Sequence, residues 1–167
     1  KFDRFTTFKK AQGTFIQKKF FTVLKKPIVS SGEISFDQQL GFFWQTNKPV
    51  SSAIILKNGT LTLRDHRNKT QTIKGAAPLA KVLMQAISGD ITAMEKEFLM
   101  AAPVNPNCLA MTPKNQRLTQ AISSIELCGI DKLEHLTLFE SSGNRTEIKL
   151  EITAVKQLTE AVRVQLQ

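Results

Sequence analysis

The hydrophobic pattern of this chain changes period twice, and the order of those changes limits the folds open to it. From Gly13 onward the apolar residues fall in short extended runs separated by turn formers. Gly13-Thr14-Phe15-Ile16-Gln17-Lys18-Lys19-Phe20-Phe21, Pro27-Ile28-Val29-Ser30-Ser31-Gly32-Glu33-Ile34-Ser35-Phe36 and Phe42-Phe43-Trp44-Gln45 read as aromatic-rich strands, with Asn47-Lys48-Pro49 as a further connection. Residues 53–57 and 60–64 flank Asn58-Gly59, the strongest short hairpin signal present, and a last strand of this group is expected over residues 70–74. The period then becomes helical. Pro78 suits a first helical position, and Leu79, Val82, Leu83, Ala86 and Ile87 share one face. Gly89 stops that helix, and Asp90 caps a second one in which Ile91, Met94 and Phe98 form a stripe. Extended segments return at about residues 108–112, 124–130, 136–140 and 146–152. Residues 114–121 read as a polar connection and residues 155–162 as a terminal helix. Phe2, Phe5, Phe8 and Ala11, three apart, predict a short helix before the first strand.

Strands, then two helices, then strands imply an α+β fold with one antiparallel sheet and helices gathered on one side. A sheet of this length must curl to hide its apolar face, and half-greasy helices fill the concavity. Such helices serve either as permanent core or as a lid over a cavity for an apolar ligand, and periodicity alone favours core.

With 167 residues and 41% hydrophobic composition, one domain spanning residues 1–167 is expected, needing neither metals nor disulfides merely to fold and with no cofactor expected. The longest apolar run, residues 98–104, is far short of the ~20 residues that span a bilayer. The chain starts at Lys1-Phe2 with no hydrophobic leader region, so the expectation is a leader removed or trimmed. Basic residues exceed acidic ones by 23 to 14. Much of the excess lies in residues 1–26, where Lys9, Lys10, Lys18, Lys19, Lys25 and Lys26 form a candidate basic patch. Such a patch attracts anionic headgroups or an acidic partner, or simply keeps the surface solvated. Nucleic acid is not an expected partner, because the phenylalanines alternate like core residues and no nucleic-acid-binding signature accompanies them.

Cys108 and Cys128 are equidistant from Leu118. If the flanking strands pair, the two cysteines oppose each other on the outer face while Leu109, Met111, Ile125 and Leu127 point inward, so a disulfide is one expectation and two free thiols the other. Catalysis has little support. His66 and His135 have no metal-ligand spacing, and no nucleophile elbow or phosphate-binding glycine loop is present.

The order G-x-F-x-Q-x-K from Gly13, P-x-x-S-x-G-x-x-x-F from Pro27 and W-x-x-x-x-P from Trp44 resembles the opening of the LolA family of periplasmic lipoprotein carriers. Leu83-Met84-Gln85-Ala86-Ile87-Ser88-Gly89-Asp90 followed by Phe98, then Leu109-Ala110-Met111-Thr112-Pro113, Ile122-Ser123-Ser124-Ile125-Glu126-Leu127 and Gly143-Asn144-Arg145-Thr146-Glu147-Ile148 are similar to the family's later segments. The resemblance implies a half-open, strongly curled antiparallel β-barrel covered by a helical lid, with strands at about 13–74 and 108–152 and lid helices at about 77–99. It further implies a non-enzymatic periplasmic chaperone that holds the acyl chains of a lipoprotein or related lipid and passes it from an inner-membrane donor complex to an outer-membrane acceptor, acting as a monomer. Strand alternation nominates Phe15, Ile34, Phe36, Phe42, Trp44, Ile55, Leu61 and Leu63 as cavity lining, and Leu79, Leu83, Ile87, Met94 and Phe98 belong to the expected lid. One position departs from the family pattern. The arginine that tethers the lid in many of these carriers lies six residues after the strand glycine, where this chain has Gln38. Glutamine lacks the charge and the five-donor fork of a guanidinium. A carrier for a different acylated or polyene-type lipid is therefore the first alternative, and a basic surface-binding module for an acidic partner the second.

Overall fold

Strand β1 (Lys10–Phe20) organises the molecule, because it is paired on both sides along its whole length. The computed structural model describes residues 5–73, 77–101 and 105–167, without the side chains of residues 77–81. On one side of β1 a meander runs through β2 (Ile28–Asp37), β3 (Gly41–Lys48), β4 (Ser52–Lys57), β5 (Thr60–Arg64) and β6 (Thr70–Ile73). On the other side stand β11 (Arg145–Ala154), β10 (His135–Glu140), β9 (Ile122–Cys128), β8 (Cys108–Pro113) and β7 (Phe98–Ala101). The result is one 11-stranded sheet in the order β6-β5-β4-β3-β2-β1-β11-β10-β9-β8-β7, antiparallel throughout. Its end strands β6 and β7 do not pair with each other, so the sheet is not closed.

At the glycines of the opening motif the backbones of neighbouring strands approach closely. A Cβ on Gly13 would lie 2.0 Å from the Glu151 carbonyl oxygen, and one on Gly32 would lie 1.9 Å from that of Gln45. The register between β2 and β3 also shifts at Ser31/Gly32. Backbone can press this close only where no side chain intervenes, so Gly13 and Gly32 mark places where neighbouring strands fold toward each other. At the Asn58-Gly59 hairpin both residues have positive φ, 51° and 73°, as a two-residue turn of the I′ kind requires.

Four helices complete the described residues. Helices α1 (Ala77–Ser88) and α2 (Ile91–Met94) lie in sequence between β6 and β7, α3 (Gln116–Ala121) links β8 to β9, and α4 (Glu160–Leu166) follows β11. The Asp90 side chain accepts a hydrogen bond from the Ala93 amide and caps α2. Val82, Ala86, Ile87, Ile91 and Met94 from α1 and α2 share one buried cluster with residues from both halves of the sheet. A second, smaller cluster joins Ile55 to Leu158 and Leu166, with Leu40, Phe43 and Val162 packed against it, and so places α4 on the opposite face of β3 and β4.

Three sequence expectations are corrected here. Residues 5–9 form no helix: they run irregularly into β1, with the Phe8 amide donating to the Ser88 carbonyl and the Thr6 amide to that of Asp131. Phe5 and Phe8 are buried by this tertiary strapping rather than by a helical face, and Phe2 lies outside the described residues. Phe98 begins β7 and pairs opposite Pro113, so it is not a helical lid residue. The terminal helix starts at Glu160, later than its predicted start.

Candidate functional site

The interior begins with three aromatic side chains from two strands. Phe15 and Trp44 stack with ring centroids 4.0 Å apart, and Phe42 lies 5.9 Å from Trp44 at a tilt. Offset and tilted contacts of this kind add roughly 0.5–1.5 kcal/mol per pair to the burial of the rings. Ile34, Leu56 and Leu61 join them from the same half of the sheet, and Leu109, Met111, Ile125 and Leu127 from the other half. Ile87 and Met94 are buried in the same cluster, and Leu83 and Met84 pack half-buried against it.

Most of the nominated lining residues come together on this surface. Phe15, Ile34, Phe42, Trp44 and Leu61 belong to the one cluster, and Phe36 is buried directly opposite Phe42 in the β2–β3 ladder. Leu63 is opposite Ile54 and half-buried. Ile55 is a correction: it faces α4 in the second cluster, and its neighbours Ile54 and Leu56 take the inward places. Leu79 lies in α1, but its side chain is outside the described residues.

An opening of about 1260 Å³ leads from solvent toward this interior. Pockets of about 300–1,000 Å³ hold drug-sized ligands, so this mouth is above that range. The β2–β3 turn and the β4–β5 turn form one wall, and the link from α2 to β7 and the segment from β8 into α3 form the other. Leu56, Met84 and Leu118, all part of the central packing, supply its apolar base. Its rim carries Lys57, Lys96, Lys114 and Arg117 against the single carboxylate of Glu97.

Gln38 stands on this rim and is exposed. Its amide donates to the Lys9 carbonyl, and the buried carboxylate of Asp37 accepts from the Gln39 and Leu40 amides, which pins the turn. Among the described residues the Gln38 side chain makes no hydrogen bond to α1 or α2.

The candidate basic patch is not one surface. Lys9 and Lys10 lie at the start of β1 and Lys18 and Lys19 near its end, a separation of roughly 26 Å at ~3.3 Å per residue. Lys10 faces Asp37 at 4.0 Å and Lys19 faces Glu140 at 3.6 Å, so two of the six charges are partly matched. Lys25 and Lys26 sit in the β1–β2 connection beside Val23, which is 87% exposed, and near exposed Leu24, Ile28 and Val29. This end is braced by the Thr22 amide donating to Asn144 Oδ1 and by the Arg145 guanidinium over the Phe20 ring.

Cys108 and Cys128 are opposite each other in the β8–β9 ladder and joined as a disulfide, with Sγ atoms 2.00 Å apart. Glu126 lies beside them, but with both sulfurs bonded to each other the group offers a cation only the carboxylate. His66 and His135 are exposed.

The cationic rim was missed in the sequence. Its residues are spread from Lys57 to Arg117 with no local spacing to link them, and only the curl of the sheet brings the two walls together. Inward-facing Met111, Ile125 and Leu127 were legible from alternation, yet were not counted as lining.

The profile of the family described as outer membrane lipoprotein carrier protein LolA matches residues 6–162. No curated protein sequence matches the chain. Among solved structures, a LolA superfamily protein from Nitrosomonas europaea is similar with a TM-score of 0.54 at 8% identity, covering 96% of this chain and 92% of that one. A putative outer membrane lipoprotein-sorting protein domain from Vibrio parahaemolyticus gives 0.54 at 8% identity, covering 98% and 94%. A DUF1329 family protein from Desulfovibrio piger gives 0.51 at 12% identity, covering 96% and 92%. At such identities the likeness speaks for the fold alone.

Proposed function

The chain belongs to the LolA family of outer membrane lipoprotein carrier proteins, and on that footing we propose that it is a periplasmic carrier. In this reading it holds the acyl chains of a lipoprotein or related lipid and passes them from an inner-membrane donor to an outer-membrane acceptor. One monomeric domain does this. The observation that carries the reading is an apolar interior shared by an open sheet and two helices, with a mouth of about 1260 Å³ leading into it.

The helices supply the term that makes release possible. At ~0.8 kcal/mol per buried methylene, a chain of about 14 carbons gains roughly 11 kcal/mol gross. Ile87 and Met94 already occupy the interior, so an entering chain must expel them and bears the cost of re-exposing or repacking them. Helices α1 and α2 thus act as a lid whose side chains compete with cargo. Gln38, exposed on the rim without the guanidinium of the family's lid tether, favours a lid held by packing rather than by charge. That difference supports, as the alternative cargo, a non-lipoprotein acylated or polyene-type lipid. The disulfide is consistent with an oxidising compartment such as the periplasm.

A second reading, a surface-binding module for an acidic partner, draws on one observation: Lys25 and Lys26 beside exposed Val23, Leu24, Ile28 and Val29. One comparison separates the two. Trp44 is the single tryptophan and lies in the interior, so its emission reports chain entry. A carrier changes Trp44 emission on adding a long-chain lipid, and Leu83→Glu weakens that response at least tenfold while the circular dichroism stays folded. Unchanged emission with lipid, or an unaltered response in folded Leu83→Glu, contradicts the carrier reading.

A further inference from the structure

The rim of the mouth is far more cationic than the function of a purely apolar cavity requires. Four cationic side chains, Lys57, Lys96, Lys114 and Arg117, stand against one carboxylate, Glu97, an excess of three positive charges. Lys96, Lys114 and Arg117 pair with no side-chain carboxylate among the described residues. Lys57 Nζ donates to the main-chain oxygen of Gln167 at 2.7 Å, and Lys114 Nζ donates to the Glu95 carbonyl at 3.2 Å, a contact that positions its ammonium group without neutralising it. Lys96 and Arg117 are exposed with no side-chain partner among the described residues. Beneath this ring the wall turns apolar at Leu56, Met84 and Leu118, which continue into the buried core. Charge above and hydrocarbon below is the pattern that matches an amphiphile lying head-outward.

We propose that this mouth is a headgroup site and that the preferred ligand is an acyl amphiphile with a net-negative headgroup, a phosphate diester or a carboxylate, lodged among Lys96, Lys114 and Arg117 while its chain enters past Leu56 and Met84. The inference rests on the carrier reading and adds to it the charge of the cargo. Unpaired cations at the lip of a low-dielectric opening attract an anion more strongly than the same cations on an open surface, because the apolar walls exclude screening water. The Arg117 guanidinium can hold two oxygens of one phosphate or carboxylate at once, and Lys96 and Lys114 add point charges beside it. A zwitterionic head gains little from the same ring. Free inorganic phosphate offers the same anion without a chain, and gains nothing from the apolar base.

The test compares lysophosphatidylglycerol with lysophosphatidylcholine of equal 14-carbon chain, below micelle formation and at constant ionic strength. Binding is read by Trp44 emission and by native mass spectrometry. The wild-type protein is expected to bind the anionic lysolipid at least fivefold more tightly. Lys96→Gln combined with Arg117→Gln should abolish that preference, with circular dichroism unchanged from wild type to show the variant folded. Equal affinity for both lysolipids, or a preference that survives the double substitution, overturns the headgroup site while the carrier reading stands. Displacement of the anionic lysolipid by millimolar phosphate reassigns the ring to free anions and overturns it as well. Retention of neither lysolipid contradicts the carrier reading itself, and the headgroup site with it.

Discussion

At the scale of single residues, what decides the role of an apolar side chain here is which face of the sheet it occupies. Ile55 and Leu56 are neighbours in β4, both buried, and they serve different clusters. Ile55→Ala should lower stability by about 2–4 kcal/mol, the usual cost of truncating a buried aliphatic residue, because it empties the contact with α4. Chain binding by the surviving folded protein should be unaffected, whereas Leu56→Ala should alter it; chemical denaturation and Trp44 titration together check this. An equal effect of both on lipid affinity would contradict the assignment of faces. The sequence offered a way to see this. A two-residue turn at Asn58-Gly59 fixes the register so that Leu56 opposes Leu61 and Ile54 opposes Leu63, and opposed residues share a face. The run Ala53-Ile54-Ile55-Leu56 hides that logic because β4 is covered on both sides, which leaves no polar alternation to read.

At the scale of elements, the strands announced themselves wherever one face was wet, and failed to where neither pattern nor length was decisive. Strand β7 is four residues, Phe98–Ala101, all apolar, and such a run cannot be told from a helical turn by periodicity. It matters because β7 is an end strand of the open sheet and its partner β8 carries Cys108. The Cys108–Cys128 bond closes a loop over a separation of 20 residues and ties β8 to β9 beside the open seam. Chain-entropy arguments give a loop of that size a stabilisation of about 3 kcal/mol. Replacing both cysteines with serine should therefore lower the denaturation free energy by about that amount, and the wild-type mass should rise by two daltons on reduction. A stability unchanged by the replacement would mean that β8 and β9 hold together without the bond.

At the scale of the whole molecule, the fold class was legible because two strand groups flank a helical pair in the sequence, an order that one long antiparallel sheet accommodates. The mouth was not legible. Its walls come from segments as distant as residues 38–41 and 114–118, joined by the curl that Gly13 and Gly32 permit. The charge excess of the first 26 residues was legible as a number but not as a surface, since β1 carries its lysines to opposite ends. What the curled sheet and its helices build is a shared apolar interior with a charged lip, and the carrier reading stands or falls on whether that interior takes up a chain. The most direct measurement is to isolate the protein from a periplasm without detergent and examine it by native mass spectrometry and solvent extraction. A fraction carrying one acylated amphiphile, recovered in the extract, is expected. Repeated isolation of empty protein from membrane-rich periplasm, with no response to added lysolipid, would contradict the carrier reading.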